Sequence, residues 1–142
     1  MTQERTFEGE AASAGAARRF VAGELSDVDP RLLESIVLMV SELAANSVRH
    51  AQSAFRVAVD RAAKTVRIDV HDEGAGRPLM RSPGPHEPSG RGLRIVDALS
   101  DEWGFVEHAR GGKSVWFTVG LSPSSGTSGP TTARRPRQRA SR

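Results

Sequence analysis

The chain has 142 residues, the usual size of one domain, and its 37% share of apolar residues is typical of a soluble globular fold. It contains no Cys, which excludes disulfides, thiolate nucleophiles and zinc sites built on Cys, and four scattered His make a poor metal cage. The net charge of +3 is uneven, because residues 121–142 hold five of the 20 bases and no acid, which leaves 15 bases and 17 acids elsewhere.

Two helices are predicted in the N-terminal part of the chain. Residues 1–10 form a short separate segment, for which an edge strand is one interpretation. Residues 11–25 are rich in Ala, with apolar side chains at helical spacing. Asp29 followed by Pro30 is typical of an N-cap and a first helical residue, so a second helix is expected over residues 30–50.

The rest of the body predicts a half-buried sheet interrupted by a long loop. Apolar and polar residues alternate over 55–59 and again over 66–70, the pattern of strands with one face in the core. Residues 74–92 are rich in Gly and Pro, and such a long loop in a compact domain is usually functional or mobile. The last predicted elements are a short helix and two strands, over residues 93–99, 103–109 and 113–121.

Residues 122–142 are predicted to be a disordered, Arg-rich tail, because they have almost no apolar side chain. The tail is either a solvated terminus or a weak electrostatic tether for nucleic acid or an acidic partner. No segment approaches the about 18–20 apolar residues of a membrane span, and the N-terminus lacks the order of a secretory signal. We therefore expect a cytoplasmic protein with no membrane partner.

Glu42 and Asn46 are the first candidates for chemistry. They are four residues apart on the predicted second helix, so both reach one small ligand, and His50 continues the same ridge. Carboxylate and carboxamide oxygens suit Mg²⁺, or a base beside it. The same spacing is also common on solvated helix faces, and that alternative stays open.

Asp72 is the second candidate. Strand alternation places it on the same face as the apolar residues of 66–70, and a buried carboxylate requires either a protein donor or a ligand donor. Gly74 and Gly76 follow it and permit close approach of the backbone to a flat ligand. The alternative is an ordinary Asp-Gly turn at a strand end.

The third candidate is the segment 89–93, which directly precedes the predicted short helix. Gly90 and Gly92 at a helix N-terminus expose backbone N–H groups and the positive end of the helix dipole to an anion. A flexible hinge before the helix is the alternative.

Four segments, in their order and spacing, are together similar to one known family. They are ELAANSVRHA at 42–51, DEGAG at 72–76, GRGL at 90–93 and GKSVWF at 112–117. They resemble the ATPase superfamily shared by gyrase, histidine kinases and mismatch-repair ATPases, and within it the anti-sigma-factor serine/threonine kinases. The resemblance implies an α+β fold over residues 11–121, a two-layer sandwich with a mixed, mostly antiparallel sheet covered on one face by helices.

The resemblance also implies roles for individual residues in binding ATP and Mg²⁺. Asn46 is expected to ligate Mg²⁺, Asp72 to accept a hydrogen bond from the adenine amino group, and Glu42 to act as general base. Ser114, where the family usually has Thr, is expected to supply a water-bridged second adenine contact. Other cofactor-binding residues implied are His50, Gly74, Gly76, Ser89, Gly90, Arg91, Gly92 and Leu93, with 77–89 closing as a lid over the triphosphate.

One departure from the family bears on catalysis. Kinase members commonly have Glu-Arg-Ser-Gly before the lid glycines, whereas Pro88 stands here in place of the Arg. Arg91 and Arg81 are candidate replacements. Because an Arg contributes most by stabilising the charge of the transferring group, its loss affects catalysis more than phosphate binding.

Three functional hypotheses follow. The first is an ATP-dependent serine/threonine kinase that phosphorylates an antagonist protein and sequesters a sigma factor, with both partners binding outside the nucleotide pocket. The second is a non-catalytic, nucleotide-dependent protein-binding switch. The third is weak nucleic-acid binding through the tail, against which the acidic body of the chain argues. Dimerisation is implied by the resemblance alone.

Overall fold

The structure is a computed structural model, and it describes residues 2–51, 53–73, 91–109, 111–121 and 137–138. Six strands and three α-helices are found in these ranges, together with one π-helical turn. In chain order they are β1 (Thr2–Phe7), α1 (Ala12–Glu24), α2 (Pro30–Asn46), the π-helical turn (Ser47–Ala51), β2 (Phe55–Arg61), β3 (Thr65–Asp72), α3 (Arg91–Leu99), β4 (Glu102–Glu107), β5 (Lys113–Gly120) and β6 (Arg137–Gln138).

The strands form one sheet in the order β1-β2-β3-β5-β4-β6. The first five pair antiparallel, and the two-residue β6 pairs parallel with β4. Helix α2 packs against both α1 and α3, and the helices contact one face of the sheet. The expected two-layer α+β sandwich with a mostly antiparallel sheet is therefore confirmed.

The core lies between this sheet face and the helices, as the alternating pattern predicts. The inward apolar side chains of β2 and β3 are all at most 3% exposed, namely Phe55, Val57, Val59, Val66, Ile68 and Val70. Helix α2 contributes a continuous apolar stripe to the same core, with Ile36, Met39 and Val40 fully buried. The other face of the sheet carries mainly polar and charged side chains.

Helix α2 begins where the sequence predicts and ends earlier. The Asp29 carboxylate accepts hydrogen bonds from the backbone N–H groups of Arg31 and Leu32 at 3.2 and 3.3 Å, which caps the helix. Its C-terminal end changes to a π-helical turn at Ser47, so the α-helical ridge predicted to run from Asn46 to His50 is interrupted. Such turns are frequent at functional sites.

Several predictions fall wholly or partly outside the described residues. The loop predicted over 74–92 is described only at Arg91 and Gly92, which belong to α3. Of the tail predicted to be disordered, only Arg137 and Gln138 are described, and they pair with Gly104 and Phe105 of β4. Among the described helices, none combines the length and apolar character needed to span a membrane.

Replacing the helix cap tests the account of α2. Asp29→Ala is expected to lower the free energy of unfolding by about 1 kcal/mol, because two N–H groups of the first turn lose their acceptor. Urea unfolding measures the difference, with Glu34→Ala, an exposed residue of the same helix, as the control. Equal loss of stability in both variants would contradict the capping role.

Candidate functional site

The carboxylate of Asp72 is buried at the end of β3, on the helix-covered face. The residue is 5% exposed, and both of its oxygens have protein donors. Ser47 Oγ donates to Oδ2 at 2.9 Å, and Lys113 Nζ donates to Oδ1 at 3.1 Å. Because a carboxylate offers about four acceptor positions, these contacts are compatible with a further hydrogen bond from a ligand.

The π-helical turn explains how Ser47 reaches Asp72. Ser47 is the first residue after α2, and it is itself buried. Its hydroxyl ties the C-terminal end of α2 to the end of β3, residues 25 positions apart in sequence. The turn therefore fixes the position of Asp72 relative to Asn46, the neighbour of Ser47 on α2.

Lys113 faces Asp72 because the two residues are directly paired in the β3–β5 ladder. Their side chains are only 12% and 7% exposed, so the ion pair is largely removed from water. Removing one partner of such a pair typically costs about 3–5 kcal/mol, since the other charge is left buried and uncompensated. In the β4–β5 ladder, Lys113 lies directly opposite Glu107, which places a second acidic residue on the same face of the sheet.

Ser114 lies on the other face of the sheet from Asp72. It pairs with His71, the residue before Asp72, and successive strand residues point to opposite faces. Its Oγ is 3.0 Å from His71 Nδ1 and 3.0 Å from His108 Nε2, while His71 Nε2 is 3.0 Å from Glu73 Oε2. The structure therefore does not bring the Ser114 side chain to the face on which Asp72 lies.

A glycine turn brings β5 against the end of β3. Gly111 and Gly112 have positive φ angles of 105° and 90°, which favour glycine. A Cβ at Gly112 would lie 2.8 Å from the backbone oxygen of Asp72 and 3.2 Å from Cε1 of His71. This close approach is possible only without a side chain, and it sets the position from which Lys113 enters the site.

Glu42 and Asn46 meet the N-terminal turn of α3. A Cβ at Gly92 would lie 3.3 Å from Glu42 Cβ and 3.2 Å from Asn46 Nδ2, so the two helices touch at this point. Both side chains are half-buried, which argues against an ordinary solvated face. The Asn46 carboxamide oxygen accepts a hydrogen bond from Arg49 Nη2 at 3.3 Å.

Oxygen atoms able to ligate a metal and a helix N-terminus thus meet beside Asp72. The carboxamide of Asn46 and the carboxylate of Glu42 are the donor types that suit Mg²⁺, and the first turn of α3 suits an anion. Within the described ranges, no cluster of three or more His, Cys, Asp or Glu forms a metal site by itself. The arrangement fits a metal whose other ligands are phosphates and waters.

The remaining predicted site residues divide into two groups. The side chain of Leu93 is 2% exposed and belongs to the hydrophobic core, so only its backbone remains available to a ligand. Outside the described residues, or with undescribed side chains, are His50, Gly74, Gly76, Arg81, Pro88, Ser89, Gly90 and Arg91.

Sequence reasoning missed Ser47 and Lys113. Lys113 has the same strand parity as Val115 and Phe117, so the two-residue period already predicted an inward side chain there. Ser47 had no comparable signal, because its direction depends on the change from α-helix to π-helical turn.

Two comparisons with known proteins found similarities. Residues 7–119 match the family described as the histidine kinase-like ATPase domain. The solved structure of the RsbU and RsbW domains of Rv1364c from Mycobacterium tuberculosis is similar, with a TM-score of 0.68 and 23% sequence identity. The similarity covers 87% of this chain and 33% of that one, and at this identity it shows the fold. No curated protein matches the sequence.

Two glycine substitutions separate backbone conformation from close contact. Gly111→Ala is expected to cost about 1–2 kcal/mol for its positive φ alone, because a Cβ there meets nothing within 4 Å. Gly112→Ala is expected to cost more, since its Cβ also meets the backbone of Asp72. Urea unfolding of both variants measures the difference, and equal losses would contradict the close approach of the turn to β3.

Proposed function

The chain belongs to the histidine kinase-like ATPase domain family, and we propose that it is a regulatory protein that binds Mg-ATP and phosphorylates a Ser or Thr of an antagonist protein. In this proposal it also sequesters a sigma factor. The observation that carries the proposal is the buried carboxylate of Asp72, joined through Ser47 to the helix end that bears Glu42 and Asn46.

Asp72 supports an adenine site. Its buried carboxylate lies at the end of β3 on the helix-covered face, where it accepts hydrogen bonds from Ser47 and Lys113. The exocyclic amino group of adenine is a donor that complements this acceptor.

Asn46 and Gly92 support the phosphate end of the site. Asn46 Oδ1 would be the protein ligand of Mg²⁺, which when bound neutralises charge on the phosphates. The N–H groups of the first turn of α3 would hold phosphate oxygens, and the absence of a side chain at Gly92 permits close contact there.

Glu42 is the proposed general base. It lies one turn before Asn46 on α2 and next to Gly92, on the phosphate side of the site. Its carboxylate would take the proton of the acceptor hydroxyl while the γ-phosphoryl group passes to that oxygen and ADP leaves. Asn46 and the first turn of α3 would position the phosphates for this transfer.

A non-catalytic, nucleotide-dependent binding switch is the second candidate. The observation that favours it is Pro88, which stands where kinase members commonly have an Arg on the phosphate side. Such a protein would bind ATP through Asp72 and Asn46 without transferring phosphate.

Sigma factor and antagonist are proposed as partners on the resemblance of 42–51 to anti-sigma-factor kinases, and the similar solved structure contains a domain named RsbW. The chain spans a third of that solved chain, so the assembly is itself part of the proposal. The proposal also includes a cytoplasmic location, a homodimer and weak nucleic-acid contact through the Arg-rich tail.

Variants of Asp72 and Glu42 separate binding from transfer. Asp72→Asn is expected to weaken Mg-ATP binding about tenfold or more, because the carboxylate acceptor is lost. Glu42→Ala is expected to bind Mg-ATP within a few-fold of wild type but to lower transfer by about 10²–10⁴-fold. Titration with a fluorescent ATP analogue and transfer from γ-labelled ATP to candidate antagonist proteins are the measurements.

Glu34→Ala, on the same helix and exposed, is the matched control. It should change neither the affinity for Mg-ATP nor the rate of transfer. Binding without label on any antagonist would favour the switch over the kinase. A wild-type chain that binds no Mg-ATP would contradict both candidates.

A further inference from the structure

We infer that His71 and His108 form a binding site for a borderline divalent cation such as Zn²⁺, on the face of the sheet that the helices leave uncovered. The site is separate from the Mg²⁺ position proposed at Asn46, and it does not depend on the proposed function. In the sequence the four His are too scattered to suggest a metal cage, whereas in the fold two of them meet at Ser114.

Both imidazole rings direct a nitrogen at the same point. His71 Nδ1 and His108 Nε2 are each 3.0 Å from Ser114 Oγ. A hydroxyl has one hydrogen, so it can donate to only one of these two nitrogens. Two imidazole nitrogens and one hydroxyl oxygen therefore converge on one small volume. Imidazole nitrogen is a ligand that Zn²⁺ and similar cations prefer.

The spacing of the two rings fits tetrahedral coordination. Zn²⁺ binds imidazole nitrogen at about 2.0–2.1 Å, which places the ion about 3.2 Å from each ring centre. Two rings at the tetrahedral angle then have centres about 5.2 Å apart. The centres of the His71 and His108 rings are 5.1 Å apart, and the ring planes are inclined at 58°. The rings therefore already have the separation that a shared ion requires.

Glu73 sets the tautomer of His71. An ionised carboxylate can only accept a hydrogen bond, and Glu73 Oε2 is 3.0 Å from His71 Nε2. In the neutral ring the proton therefore lies on Nε2, and Nδ1 keeps its lone pair on the side of Ser114. A carboxylate behind the ring is the usual outer partner of a histidine that ligates a metal.

The backbone holds both rings in place. His71 belongs to β3, and a Cβ at Gly112 would lie 3.2 Å from its Cε1. The N–H of His108 donates to the backbone oxygen of Gly112 at 3.0 Å. Such preorganised ligands lose little conformational entropy on binding. Within the described part of the chain, no third His, Cys, Asp or Glu joins them as a ligand, so water or Ser114 would fill the remaining positions.

Calorimetric titration of the untagged full chain with Zn²⁺ measures the site. Wild type is expected to bind Zn²⁺ saturably even in excess Mg²⁺, because Mg²⁺ prefers oxygen ligands. His71→Gln and His108→Gln are each expected to bind at least about tenfold more weakly, since one of two nitrogen ligands is lost. Glu73→Gln should weaken binding about tenfold through the outer contact alone. His86→Gln, which changes the histidine of the predicted loop, is the matched control and should bind as wild type does.

Thermal unfolding is the second readout. A cation that binds only the folded chain raises its Tm, so Zn²⁺ should raise the Tm of wild type and of His86→Gln more than that of His71→Gln or His108→Gln. Circular dichroism checks that each variant is folded. The side chain of Glu73 is 65% exposed, so Glu73→Gln keeps the test available if a His variant fails to fold.

The outcomes decide the inference without reference to ATP. Wild type that binds no Zn²⁺ would overturn it and leave a hydrogen-bonded cluster alone. So would folded His71→Gln and His108→Gln with unchanged affinity, loss of binding in His86→Gln, or suppression of Zn²⁺ binding by Mg²⁺. No nucleotide enters these measurements, so failure of the proposed function would leave their result unchanged.

Discussion

A buried carboxylate at the end of β3 must be matched by donors, and the segments that supply them meet at one end of the sheet. Ser47 comes from the turn that ends α2, and Lys113 comes from the start of β5. Each donor depends on a local backbone feature, a π-helical turn for Ser47 and two glycines with positive φ before Lys113. Because an uncompensated charge here would cost several kcal/mol, this end of the fold has little freedom to vary.

The same strand pairing gives the two faces of the sheet different chemistry. On the helix-covered face, Asp72 and Lys113 adjoin the apolar core and lie near the α2–α3 contact at Gly92. On the open face, Arg67 lies 4.5 Å from the centre of the Trp116 ring, and its hydrogen bonds to Asp69 raise the pKa of the guanidinium above its ordinary value. We therefore propose the nucleotide site on the helix-covered face, where a buried charged acceptor and the N-terminal turn of α3 both lie.

Local patterns predicted the elements well, and contacts distant in sequence were predicted less well. Helix α2 was evident from its cap at Asp29 and its apolar stripe, and β2 and β3 from their two-residue period. The inward direction of Asp72 followed from the same period. The contact expected from Ser114 came from the resemblance, whereas the two-residue period of β5 places Lys113, and not Ser114, on the face of Asp72. The end of α2 was misplaced because no residue type marks a π-helical turn.

The most direct test of this account is a crystal structure of the chain with Mg²⁺ and a non-hydrolysable ATP analogue. The account predicts the adenine N6 group at about 3 Å from the carboxylate of Asp72, on the helix-covered face. It also predicts the triphosphate beside Asn46 and the first turn of α3. A nucleotide bound on the open face near His71 and Ser114, or one that does not contact Asp72, would contradict the central claim.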